Sequence, residues 1–245
     1  MKRYRREDEV SYALGITLTF ELLKFAPEYA VCVYIHSKMD RGESYEKLIN
    51  LCRASNVPVE YQDKPFNILS QKGNCFVIGE FKKFYRDIDP NESHVVLHHP
   101  SDAGNMGTIM RSATGFGITN LAIIRDAVDP FDPKTVRASM GAVFHMNIKE
   151  YDDFDSYYSA NSNHNCYPFM LKAKISLHDM KPKKPFSLVF GNEATGLPDE
   201  FLNIGTGVII PHTHNIDSLN LPIAASIALY EATKADMCDF TPHAL

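Results

Sequence analysis

Residues 188–231 read LVFGNEATGLPDEFLNIGTGVIIPHTHNIDSLNLPIAASIALYE. The apolar run Leu188–Phe190 empties into a polar, glycine-containing loop, and a second run, Val208–Ile210, stops at Pro211. Buried strands opening into such loops are where open α/β sheets hold ligands. The loop from His212 to Asn220 then feeds a helix with Pro222 in its first turn, a favourable place for proline. Two strand ends and one helix start are therefore expected to converge, offering many backbone N–H and C=O groups and few charged side chains. Such a place suits a large, partly apolar, hydrogen-bonding ligand such as a nucleoside.

Upstream the same alternation continues. Apolar runs predict strands at Val95–His98, Leu121–Ile124, Val143–Ile148 and Pro168–Leu171, with helices between most of them. Strands alternating with helices predict a mainly parallel sheet. The charged segment KKFYRDIDPNES, residues 82–93, interrupts the periodicity and sets this part off from a smaller α/β pattern. There helices are expected at Gly15–Phe25 and Tyr45–Arg53 and strands at Ala30–Ile35, Val57–Tyr61 and Cys75–Ile78, with a helical turn near Ile68–Gln71. The expected domains are 1–85 and 94–245.

The chain has 245 residues, 44% of them hydrophobic, enough for a sizeable core. No run approaches the 18 or so apolar residues of a membrane span, and MKRYRR at Met1–Arg6 meets acidic EDE rather than an apolar leader. The five cysteines (Cys32, Cys52, Cys75, Cys166, Cys238) are dispersed and read as reduced thiols of a cytoplasmic protein, not as a metal or disulfide framework. Net charge is −5, which does not advertise nucleic-acid binding, but it is uneven: 14 basic against 13 acidic residues over 1–90, and 11 against 17 over 91–245. The cluster Lys2, Arg3, Arg5 and Arg6 reads as phosphate-contacting or as a solvated tail. The acidic run at 150–155 reads as a solvated helix start.

After the predicted strand at 95–98 comes SDAGNMGTIMRSATGFGI, residues 101–118. Met106, Ile109, Met110, Ala113 and Phe116 follow helical spacing and are expected to pack inward. Asn105 is expected to cap this helix. Gly107 and Arg111, four apart, share another face, where a glycine would leave room beside the guanidinium for sugar or phosphate; an ordinary helix with a snorkelling arginine is the plain alternative. GxGxxG, GxxxxGK[ST], GxSxG and HExxH are all absent, which argues against dinucleotide, P-loop, serine-hydrolase and zincin chemistry. The histidine pairs His98-His99 and His212-Thr213-His214 lack metal-ligand spacing, and no metal is expected.

Three ordered segments resemble the motifs of the SpoU-type (TrmH-like) RNA ribose 2′-O-methyltransferases of the SPOUT superfamily. Asn105-x-Gly107-x-x-x-Arg111 is similar to the first, Gly191-Asn192-Glu193-Ala194-Thr195-Gly196-Leu197 to the second, and Ile210-Pro211 with Ser218-Leu219-Asn220 to the third. Arg137-Ala138-Ser139-Met140-Gly141-Ala142 also matches a recurrent family segment. The resemblance covers roughly 94–235; residues 15–81 look, less specifically, like the small substrate-binding domain many members carry.

The resemblance implies an α/β protein: a small N-terminal RNA-binding-like domain and a parallel-sheet SPOUT domain with a deep trefoil knot, built from 188–231. It implies S-adenosylmethionine as cofactor, with Gly191, Ile210, Leu219 and Ser218 at its site. It implies Arg111, Asn105, Glu193 and Asn220 as catalytic candidates, rRNA or tRNA as partner, and a homodimer. The third motif departs from the pattern: His212 and His214 replace the usual Met and Gly, and Leu221-Pro222 the usual Val-Ser, so the entrance could be narrower. A silent RNA-binding protein on the same scaffold and a base-nitrogen methyltransferase are the alternatives.

Overall fold

The computed structural model describes residues 3–69 and 74–236; Lys2, Gln71 and Cys238 lie outside them. In chain order the first elements are β1 (Val10–Leu14), α1 (Ile16–Phe25), β2 (Ala30–Ile35), α2 (Glu43–Ala54), β3 (Val59–Tyr61), α3 (Lys64–Leu69) and β4 (Val77–Lys82). There follow β5 (His94–His98), α4 (Ala103–Gly115), β6 (Asn120–Ile124), α5 (Pro133–Ala138), β7 (Asn147–Tyr151) and α6 (Phe154–Ala160). The last are β8 (Asn165–Pro168), β9 (Ile175–Ser176), β10 (Phe186–Phe190), β11 (Val208–Ile209) and α7 (Leu221–Thr233).

The chain folds into two compact units, and neither is one continuous segment. The first gathers Met1–Tyr85, Ala103–Arg111 and Val128–Met146; the second gathers Arg86–Asp102, Ser112–Ala127 and Asn147–Leu245.

The first unit carries a four-stranded sheet, β1-β4-β2-β3, in which β4 runs antiparallel to β1 and β2 while β3 is parallel to β2. Helix α1 packs tightly on β4: a Cβ on Gly79 would stand 3.0 Å from Leu22 Cδ2. Leu23, Val33, Ile35, Leu48, Cys52 and Val77 form a continuous apolar cluster. The later segment supplies Phe131 and Phe144, whose rings lie 4.9 Å from Phe84 and 5.1 Å from Phe81 respectively. Buried Ser11 donates to the carbonyl of Phe131, and Tyr4 donates to Asp129, which Lys83 also meets at 2.7 Å. These bonds hold the start of the chain, so Tyr4 is anchored rather than part of a free tail; Arg3, Arg5 and Arg6 remain exposed.

The second unit is built on a five-stranded sheet, β7-β6-β5-β10-β8, with every pair parallel. The expectation of a mainly parallel sheet holds. Its three central strands are nearly continuous runs of Val, Leu, Ile and Phe, as strands covered on both faces require. Val96, Ala122 and Val189 meet Phe154 and Tyr157 of α6 and Phe201 in one cluster. The acidic run does start a helix: Asp153 accepts from Ser156 N at 2.7 Å and caps α6. The edges depart from expectation. Residues 142–145 form a 3₁₀ turn and the strand there runs Asn147–Tyr151; β8 runs Asn165–Pro168 instead of starting at Pro168. Val208–Ile209 pairs with β9 in a separate two-stranded ribbon.

No helix among the described residues is long and apolar enough to cross a membrane.

Candidate functional site

The chain order of the parallel sheet reverses at β5: β6 and β7 lie on one side of it, β10 and β8 on the other. Open α/β sheets usually bind ligands outside the carboxyl ends of the strands at such a reversal. Here that crevice is bridged. The Glu193 carboxylate, in the loop after β10, accepts from Ser101 Oγ at 2.6 Å, Ser101 N at 3.0 Å and Asp102 N at 3.2 Å, in the loop after β5. Asn192 adds a second tie, donating through Nδ2 to the carbonyl of His99 at 2.8 Å.

The open space lies one strand over. A cavity of about 320 Å³ sits at the carboxyl ends of β10 and β8, walled by Phe169–Lys172, Phe190–Leu197, Val208–Ile210, His212 and the start of α7. The two strand ends and the helix start thus do converge. The loop 191–197 folds back on itself: Gly196 N donates to the Asn192 carbonyl at 2.9 Å, and Asn192 Oδ1 accepts from Ala194 N at 2.9 Å and Thr195 N at 3.2 Å. Glycine at 191 is required, because a Cβ there would stand 2.2 Å from the Gly196 carbonyl carbon. Gly196 has φ of +68°, the left-handed region that glycine enters without strain. Across the cavity, Thr206 N donates to the Cys166 carbonyl and Met170 N to that of Val208, each at 2.9 Å, so the chain after β10 returns to lie along β8.

Gly191, Ile210, Ser218, Leu219 and Glu193 all stand on the cavity wall; Asn220 does not. Asn220 occupies the position before α7, exposed, with no side-chain cap bond, and its carbonyl accepts from Ala224 N at 3.0 Å. His212 also lines the cavity, its Nδ1 donating to the Ile210 carbonyl at 2.8 Å, while His214 is exposed.

Asn105 and Arg111 belong to the portion of α4 that clusters with the first unit. Two expectations about this helix need correction. It begins at Ala103, so Asn105 lies within its first turn and is not the cap. Gly107 is buried, not bare: a Cβ would stand 2.5 Å from the Thr135 carbonyl oxygen and 2.6 Å from Ala138 Cβ. The glycine is needed for the close approach of α5. Met106, Ile109, Met110 and Ala113 are fully buried, as their spacing predicts; Phe116 falls just past the end of the helix and is only half-buried, and Arg111 is exposed.

Asn192, which was not among the site residues expected from the sequence, ties this loop to itself and to the His99 carbonyl. Its signal was present: an asparagine directly after a buried strand end, followed by small residues, favours side-chain bonds to the backbone two and three residues on.

Burial lowers His98, at the end of β5, to a pKa of about 4, so it is neutral at physiological pH; its ring packs 5.2 Å from that of Phe201. Among the described residues, no group of three His, Cys, Asp or Glu could hold a metal ion.

Comparison with known proteins points one way. The model of the SpoU rRNA Methylase family matches residues 92–230. An uncharacterized tRNA/rRNA methyltransferase of Synechocystis sp. is 29% identical over 166 residues, 65% of this chain and 60% of its own length. A Geobacillus stearothermophilus protein provisionally named a tRNA (cytidine(34)-2′-O)-methyltransferase is 35% identical over 147 residues, 58% of this chain and 93% of its own. Among solved structures, an S-adenosylmethionine-bound rRNA methyltransferase from Sinorhizobium meliloti superposes with a TM-score of 0.78 at 28% identity, covering 93% of this chain and 88% of that one.

Proposed function

The chain belongs to the SpoU rRNA methylase family, and we propose from this that it methylates a ribose 2′-hydroxyl of an rRNA or tRNA, with S-adenosylmethionine as cofactor. The single observation that carries the reading is the cavity walled by Gly191, Ile210, Ser218 and Leu219. It fits the cofactor on chemical grounds. Folded-back backbone at 191–197 and 208–210 offers neutral donors and acceptors for a nucleoside, and Phe169, Met170, Leu219 and Leu221 offer apolar contact. The cradle also depends on a missing side chain at Gly191.

When bound, the cofactor supplies an electrophilic methyl group. The remaining work falls to the chain. A ribose 2′-hydroxyl is a weak nucleophile, so it must be positioned and its developing negative charge offset. Arg111, exposed on α4, is proposed for both tasks, its planar fork holding phosphate or hydroxyl oxygen. It is not proposed as the proton acceptor, because a guanidinium does not give up its proton in proteins. Glu193 is proposed to position the loops through its bonds to Ser101 and Asp102. Asn105 and Asn220 are proposed to face the RNA.

The finer architecture is proposed with it. A deep trefoil knot over 188–231 is supported by the return of the chain along β8 after β10 and by α7 packing on β10. A division of labour, with 1–85 selecting RNA and 94–245 carrying the chemistry, is supported by the cavity's lying wholly among residues 169–224. A homodimer is supported by α7, which leaves Ile223, Ile227 and Tyr230, three to four residues apart, exposed along one face. Cytoplasmic residence is supported by the free, buried thiols of Cys32, Cys52 and Cys166.

Calorimetry with S-adenosylmethionine and with S-adenosylhomocysteine tests the cofactor, and mapping of ribose methylation in RNA from a deletion strain tests the reaction. Binding without added metal and one lost methyl group are expected; no binding of either cofactor form would sink the enzyme reading in favour of a silent RNA-binding protein.

A further inference from the structure

In the first unit, two tyrosines and an arginine form a fixed cluster. Tyr45 stands in the first turn of α2 and Tyr61 ends β3, the edge strand of the sheet. Their hydroxyls meet at 2.6 Å. The Arg41 guanidinium carbon lies 5.8 Å from the Tyr45 ring centroid and 6.0 Å from that of Tyr61. Tyr45 leans on the apolar cluster of Val33, Leu48 and Cys52, so one ring of the pair is anchored, while Tyr61 is 53% exposed. The hydrogen bond with Tyr45 raises the pKa of Tyr61, and the charges of Arg41 and Arg53 pull the other way.

We propose that Arg41, Tyr45 and Tyr61 form a stacking platform for an unpaired RNA base. The inference rests on the RNA-modifying function proposed above and names the part of the substrate this unit reads. An exposed aromatic ring held by a neighbour loses little conformational entropy when a base stacks on it, and an arginine plane beside it extends the surface. A phosphate track is the weaker fit: Asp40, Glu43 and Glu60 are interleaved with Arg41 and Arg53, so the segment has no excess of positive charge. Duplex RNA, whose bases are already stacked, offers nothing to such a platform.

The experiment uses the full chain and two fluorescein-labelled probes, a 12-nucleotide single-stranded RNA of mixed sequence and the corresponding 12-base-pair duplex, followed by anisotropy at several salt concentrations. Tyr61→Ala is expected to weaken single-strand binding about 10-fold, on the scale of one stacked base, with the salt slope unchanged and duplex binding unaffected. Tyr61→Phe, which keeps the ring and loses the hydroxyl bond, is expected to lose less, and Arg41→Ala to lose a few-fold. S-adenosylhomocysteine affinity should not move in any variant, and a wild-type circular dichroism spectrum and thermal midpoint show that each is folded. Wild-type binding by Tyr61→Ala would overturn this inference alone. An equal loss on both probes, with a salt slope lower by about one, would replace stacking by a phosphate contact and overturn it too. Failure of the wild type to bind either RNA would overturn both this inference and the proposed function.

Discussion

Arg111 is exposed on a helix whose apolar positions Met106, Ile109, Met110 and Ala113 are fully buried, so its side chain can be removed without opening a cavity. Arg111→Ala should therefore melt like the wild type and bind cofactor normally, while single-turnover methyl transfer falls about 100- to 1000-fold, the usual loss of one preorganised charge donor. Arg111→Lys should rescue poorly, since it keeps the charge and loses the fork. Near-wild-type turnover for the alanine variant would move the chemistry to other residues. One turn earlier the expectation is reversed. Gly107→Ala pushes a methyl group into the Thr135 carbonyl and should cost about 1–3 kcal/mol in urea unfolding, as overpacking does; an unchanged midpoint would mean that α5 yields freely. This pair also shows what the sequence could convey at this scale. The spacing of Gly107 and Arg111 put both on one helix face, but only tertiary packing reveals that α5 covers the glycine and leaves the arginine open.

At the scale of elements, the central strands β5, β6 and β10 were legible because burial on both faces makes them unbroken apolar runs. The edge strands were not. β8 (NCYP) and β7 (NIKEY), at the two edges of the parallel sheet, carry polar residues, and the inner strand β4 of the other sheet contains Gly79 and Glu80, so an apolar-run criterion starts each of them in the wrong place. β1 escaped because its Ser11 is buried with a bond to the Phe131 carbonyl 120 residues away, which no local pattern signals. The cavity was legible as a meeting of strand ends, whereas the Glu193 bridge that moves it off the sheet's reversal point was not. Another long-range device clasps the linker before β5. Buried His94 meets the Asp89 carbonyl through Nε2 at 2.8 Å and the Tyr157 hydroxyl through Nδ1 at 3.0 Å, and His164 meets the Pro90 carbonyl through Nε2 at 3.0 Å. Burial lowers His94 to about 4 and His164 in the same direction. The unfolded chain, with histidine near 6.5, takes up protons that the folded one refuses, so this stability is complete above about pH 6.5 and is lost as pH falls towards 4. Between pH 7 and pH 5 unfolding free energy should drop by about 2 kcal/mol from His94 alone. Urea midpoints at the two pH values measure the drop, and His94→Gln should flatten it; a pH-independent midpoint in the wild type would contradict the neutral clasp.

For the whole molecule, the face of α7 bearing Ile223, Ile227 and Tyr230 leads to a direct expectation. Ile227 is 39% exposed in the single chain, so, if the proposed dimer forms through this face, Ile227→Asp should leave the monomer folded and, by burying a carboxylate there, shift light-scattering mass from dimer to monomer at micromolar concentration. An unchanged dimer would place the interface elsewhere. The partition into units was the least legible property of the sequence. A charged linker at 82–93 suggests two consecutive beads, yet residues 103–111 and 128–146 cluster with 1–85. This interleaving sets a timetable for synthesis. When the ribosome has delivered β1 to β4, the sheet of the first unit can pair, but Phe81 and Phe84 still lack Phe131 and Phe144, and Ser11 lacks its acceptor. The nascent chain must hold that unfinished surface while β5 and β6 of the other unit emerge, and it can close the first core only once Met146 has left the exit tunnel. Finishing residues 1–85 before anything later is made is therefore not open to this chain: its first unit completes only after part of the second has emerged, and the window in which a chaperone is most needed runs from residue 85 to residue 146.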